Sequence, residues 1–154
     1  MSLPIFRRID HVGIAVRDLD ASIDFYVATF GLTVAGRETN DEQGVREAML
    51  LVGAEQGQSV SDAPGGASYV QLLEPLADDT PVGKFLAARG EGVHHIGYGV
   101  DDVAATLEQL RADGIRLVDE RPRHGSLGAS IAFLHPKSVT GVLTELVQAA
   151  SAST

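Results

Sequence analysis

Four polar residues interrupt apolar runs at positions where a strand would bury them: His11, Gln71, His95 and Glu145. Two imidazoles, one amide oxygen and one carboxylate make a mixed nitrogen and oxygen donor set. Such a set suits Co²⁺, Mn²⁺, Ni²⁺, Mg²⁺ or Zn²⁺, with water filling the remaining positions of an octahedron. Each residue alone has an ordinary reading. A histidine in a strand is commonly hydrogen-bonded in a core or at an edge, and Gln71 alone reads as a polar residue facing solvent. Glu145 is harder to dismiss, because a carboxylate within Leu143-Thr144-Glu145-Leu146-Val147 is costly to bury unless it is paired. One carboxylate on a dication leaves a net positive site. The neutral amide at Gln71, in place of a second carboxylate, therefore keeps the ion a stronger Lewis acid for an anionic substrate.

The four residues are related by an internal repeat. Residues 9–20 and 93–103 align with His11 on His95, Gly13 on Gly97, Val16 on Val100 and Asp18 on Asp102. Apolar residues at helical spacing follow in both: Leu19, Ile23, Tyr26 and Phe30, then Val103, Leu107 and Leu110. Asp18 and either Asp101 or Asp102 are candidate helix N-caps, and Gly31 and Gly114 mark the helix ends. Apolar strand starts come next, Leu32-Thr33-Val34 and Ile115-Arg116-Leu117. Further strands are expected over about 45–52 and 68–73, and over about 130–134 and 141–147. Polar loops lie at 53–66 and 121–128. Between the halves, Thr80-Pro81 predicts an N-cap with proline at the first helical position, for a short helix ending at Gly90. The tail 148–154 is small and polar and is expected to fray.

The expected class is α+β. A single domain over 1–154 holds two tandem βαβββ modules, about 6–75 and 91–148, with the linker helix within 76–90. Their curved mixed sheets are expected to surround a shared metal-binding cavity, because one helix covers only one face of each sheet. His11 and Gln71 sit on the first and last strands of one module, and His95 and Glu145 on those of the other. His94 competes with His95, but alternation sends the two to opposite faces, and the repeat selects His95. His124 and His135 lie in or beside loops.

Composition narrows the function. A length of 154 residues fits one ordinary domain, and 44% hydrophobic with 21% charged residues fits a globular protein. There is no apolar run of about 18 residues for a membrane helix, and residues 1–8 do not resemble a secretory leader. The absence of cysteine excludes disulfides, thiolate metal sites, Fe–S clusters and cysteine nucleophiles, and fits the cytoplasm. A net charge of −9 argues against nucleic-acid binding. A polyanionic ligand would need a local basic patch, the nearest in sequence being Arg121, Arg123 and His124, with Lys137 further on.

Several motifs are more specific. Ile9-Asp10-His11-Val12, Phe25-Tyr26, Thr29-Phe30-Gly31 and Asn40-Asp41-Glu42-Gln43-Gly44-Val45-Arg46-Glu47 are followed by Gln71-Leu72-Leu73-Glu74-Pro75-Leu76. Gly92-Val93-His94-His95-Ile96, His135-Pro136-Lys137-Ser138 and Gly141-Val142-Leu143-Thr144-Glu145-Leu146 complete the series. Over nearly its whole length the chain resembles the methylmalonyl-CoA epimerases of the vicinal oxygen chelate, or glyoxalase-like, superfamily. The resemblance implies interconversion of (2R)- and (2S)-methylmalonyl-CoA, with ethylmalonyl-CoA as a second candidate substrate. It implies His11, Gln71, His95 and Glu145 as metal ligands, with Co²⁺ the leading ion, and a homodimer. It also implies Glu47 as an acid/base, with Glu145 proposed for the second proton transfer and a metal-bound water as its rival. Alternation puts Glu47 with Val45 and Met49 on one strand face, where burial would raise its pKa. The alternatives are a glyoxalase-like isomerase, a ring-cleaving dioxygenase, or a metal-free small-molecule binding protein. A fourth ligand at Gln71 counts against the dioxygenase, which uses two histidines and one carboxylate.

Overall fold

The computed structural model describes residues 4–53 and 67–151. Most of the 53–66 loop and the last residues of the tail lie outside the described residues. The chain divides into two units, one of residues 11–94 and one of residues 1–10 with 95–154.

In the 11–94 unit the strand β1 (Arg8–Ala15, entering from the other unit) is followed by α1 (Leu19–Phe30), β2 (Thr33–Asn40), β3 (Val45–Val52), β4 (Ser68–Pro75) and α2 (Pro81–Arg89). The strand order is β2-β3-β4-β1. The two hairpin pairings are antiparallel and β1 runs parallel to β4. Helix α1 starts where expected: the Asp18 carboxylate accepts from the Ala21 amide. It stops at Gly31, whose φ of 72° only glycine adopts without strain. Leu19 and Ile23 of α1 bury against Ala48, Leu50 and Leu72. Alternation then obliges Glu47 and Met49 to face away from α1. Helix α2, capped by Thr80 with Pro81 in its first turn, packs Val82 and Leu86 on Ala15, Val45 and Leu73. It thereby covers one end of the face that carries Glu47.

The other unit holds β5 (Gly92–Gly99, its first residues in the 11–94 unit), α3 (Val103–Ala112), β6 (Arg123–His124), β7 (Ser130–Leu134) and β8 (Thr144–Gln148). Its strand order is β5-β8-β7-β6, with β8 parallel to β5 and antiparallel to β7. The Arg7 amide bonds the Gly99 carbonyl at 2.8 Å, and Phe6 stacks on Tyr98. Asp102, not Asp101, caps α3 by accepting from Ala105. Val103 and Leu107 pack on Ala132, Leu134 and Leu146. One expectation needs correction: Ile115-Arg116-Leu117 forms no strand, only an isolated bridge between Leu117 and Leu134. The ladder breaks because the Phe133 amide donates to the Asp119 carboxylate at 2.9 Å and not to a backbone carbonyl. The second strand of this repeat is therefore the two-residue β6. The last strand starts at Thr144 and not at 141, since Thr140 and Gly141 both have positive φ, which turns the chain.

Candidate metal centre

Each unit builds its donors from the same register. In the 11–94 unit β1 pairs β4 with Gly13 opposite Gln71 and His11 opposite Tyr69. In the other unit β5 pairs β8 with Gly97 opposite Glu145. In both, an imidazole lies two residues before a glycine, on the same strand face, and that glycine faces an oxygen donor on a parallel strand. A glycine there has no side chain to stand between imidazole and oxygen, which gives the repeated Gly13 and Gly97 a purpose beyond flexibility.

The donors are withdrawn from water. Exposure is 3% for His11, 5% for Gln71, 2% for His95 and 5% for Glu145. Their surroundings are apolar. Met49, Leu51 and Tyr69 form one cluster in the 11–94 unit, and Ile131, Phe133 and Val147 belong to another in its counterpart. Burying such groups is tolerable only if each finds a partner. His95 Nε2 lies 3.3 Å from Glu145 Oε2, and the His95 ring meets Phe133 edge to face at 5.5 Å. Gln71 Nε2 donates to Glu47 Oε2 at 2.9 Å. That bond turns the amide so that its oxygen is the end available to a cation.

Glu47 is itself only 2% exposed. It sits on β3 one diagonal step from Gln71, since Met49 is the direct partner of Gln71 and Leu73 that of Glu47. A carboxyl here can accept or release a proton within a wall of apolar side chains. His94 is half-buried and packs against Phe85 of α2 at 5.1 Å, on the opposite strand face from His95. His124 is exposed on β6, and His135 caps a short turn after β7. The contact of Phe133 with His95 was not foreseen. Its only sequence signal is an aromatic residue in the strand that turns back to Glu145, and strand register had to be known to use it.

Residues 10–133 match the family described as the Glyoxalase/Bleomycin resistance protein/Dioxygenase superfamily. The chain is similar to Streptomyces coelicolor methylmalonyl-CoA epimerase, solved as a variant in complex with 2-nitronate-propionyl-CoA. The identity is 52% and the TM-score 0.86, over 95% of this chain and 99% of that one. Methylmalonyl-CoA epimerase from Mycobacterium tuberculosis is 40% identical with a TM-score of 0.86, covering 98% of this chain and 93% of the other. The ethylmalonyl-CoA/methylmalonyl-CoA epimerase of Cereibacter sphaeroides is 33% identical, over 92% of this chain and 97% of that protein.

Proposed function

Because this chain belongs to the Glyoxalase/Bleomycin resistance protein/Dioxygenase superfamily, with methylmalonyl-CoA epimerases among its relatives, we propose that it epimerises methylmalonyl-CoA at C2. The observation that carries the reading is the buried hydrogen bond between Glu47 and Gln71. It couples a carboxyl suited to proton transfer to an amide suited to metal ligation.

The donors fit a divalent cation, with Co²⁺ the leading candidate and Mn²⁺, Ni²⁺, Mg²⁺ or Zn²⁺ as rivals. His95 and Glu145 are buried side by side, and in the proposed site the buried His11 would join them in holding a metal ion, with Gln71 adding its amide oxygen. The set is hard and borderline, without sulfur, which suits an ion that binds oxygen ligands of a substrate. When bound, such an ion supplies a Lewis acid for the negative charge that grows on a thioester carbonyl as the neighbouring carbon is deprotonated.

The chain's own part is proton traffic. The Glu47 carboxylate takes the C2 proton from one face of the malonyl thioester and becomes the acid. The carbon then receives a proton on the opposite face, for which Glu145 is the candidate donor. Completing a turnover means restoring the starting protonation of both carboxyls. Gln71, donating to Glu47 Oε2, helps to hold the carboxyl in a fixed orientation for the substrate. The buried setting keeps bulk water from competing for the proton. Ethylmalonyl-CoA is the second substrate to try, and a homodimer acting in the cytoplasm completes the proposal.

The decisive experiment is proton NMR of (2R)-methylmalonyl-CoA in D₂O with the protein and each metal in turn. The C2 proton signal should vanish, with the 2S epimer appearing, and chelator should stop both. Persistence of that signal with every metal of the panel would end the reading.

A further inference from the structure

The motif His135-Pro136-Lys137-Ser138 takes no part in the chemistry above, yet it is tied to a second cation. The His135 amide donates to the Arg116 carbonyl at 2.9 Å, and the Arg116 amide donates to Ser138 Oγ at 2.9 Å. The Lys137 amide donates to His135 Nδ1 at 3.2 Å. These bonds hold Arg116, His135 and Lys137 on two adjoining stretches of backbone. The direction of Arg116 and His135 follows from register. Leu117 and Leu134 form an antiparallel bridge and bury in the core beneath α3. The next pair along, Arg116 and His135, therefore belongs to the opposite face. That is the face of Phe133, the cross-strand partner of Glu145.

Charge distinguishes this cluster from an ordinary surface. The unit of residues 1–10 and 95–154 carries seven Lys and Arg against eight Asp and Glu, whereas residues 11–94 carry five against thirteen. The acids of the first unit are largely committed. Asp10, Asp101, Asp119, Glu108 and Glu120 each face an arginine. Among the described residues no carboxylate pairs with Arg116 or Lys137. Burial first, and then the positive charges of Arg116 and Lys137, hold the His135 imidazole below its ordinary pKa. The basic patch read from sequence around Arg123 is less suited, because Arg123 already faces Asp119 at 3.5 Å.

We propose that Arg116, His135 and Lys137 form a subsite for a phosphate monoester, the one on the nucleotide tail of the acyl-CoA substrate. This deepens the reading of the previous subsection and rests on it for the identity of the ligand. Two cations and a ring nitrogen offer charge-assisted donors to a phosphate that a broadly acidic chain would otherwise repel.

Binding is tested on the full chain by following the His135 ring signals in NMR, assigned with His135→Gln. Adenosine 3′,5′-bisphosphate and inorganic phosphate are titrated separately. The bisphosphate should saturate the shift at a concentration about tenfold or more below inorganic phosphate, and the double variant Arg116→Gln, Lys137→Gln should need about tenfold more of it. A His135 signal indifferent to the bisphosphate, an equal response to both ions, or an unchanged double variant overturns the proposal. In turnover, the double variant should show KM for methylmalonyl-CoA raised about tenfold with kcat unchanged. Its KM for methylmalonyl-pantetheine, which lacks the nucleotide, should stay as in the wild type. A change in KM for both substrates, or for neither, also overturns it. The titration requires no turnover, so a protein without epimerase activity would defeat the proposed reaction while the binding result still stands or falls by itself.

Discussion

At the scale of single residues the proposed chemistry turns on Glu47. It is a buried carboxyl that accepts a hydrogen bond from the neutral amide of Gln71. Glu47→Gln keeps the side chain's size and a hydrogen-bonding partner for Gln71 while removing the acid/base group. Turnover should fall by about 10² to 10⁴, the usual worth of a positioned general base, while metal content measured by elemental analysis stays unchanged. If the variant still exchanges the C2 proton with solvent deuterium at near the wild-type rate, Glu47 is not the base. Glu47 was legible as a polar interruption of a strand, and its role came from a motif resemblance. Its hydrogen bond to Gln71 was not legible, since 24 residues separate the two along the chain.

At the scale of elements the repeat does the positioning. Alternation along β5 assigns His95 to the face of Gly97 and Glu145, and His94 to the face against Phe85. His95→Ala should therefore lose bound metal, and His94→Ala should keep it. Metal analysis with the two results reversed would mean that the repeat alignment is wrong by one residue. Helices and their caps followed the sequence closely, because capping and apolar spacing act over a few residues: Asp18, Thr80 and Asp102 each accept from the amide three positions on. The strand expected at Ile115 failed for a reason local pattern does not contain. The Asp119 carboxylate takes the Phe133 amide that a ladder would have used.

For the molecule as a whole, a bound ion adds its binding energy to the folded state alone. Metal-free protein given Co²⁺ at about 100 times the dissociation constant should gain about 2.7 kcal/mol, a rise in Tm of roughly 5 to 10 °C for this size. No rise, together with no metal retained on purification, would favour a metal-free binding protein on the same fold. Among the described residues no helix is long and apolar enough to cross a membrane. The sequence by itself determined the α+β class, the repeat, the helix boundaries and which face of each strand carries His11, Gln71, His95 and Glu145. Those properties follow from periodicity and capping, which are short-range. Tertiary structure alone decided which further side chains meet: Glu47 with Gln71, and His95 with Phe133. Such contacts depend on the register between strands distant in the chain, and that register is settled by how helices and sheets bury their apolar faces together rather than by any local pattern.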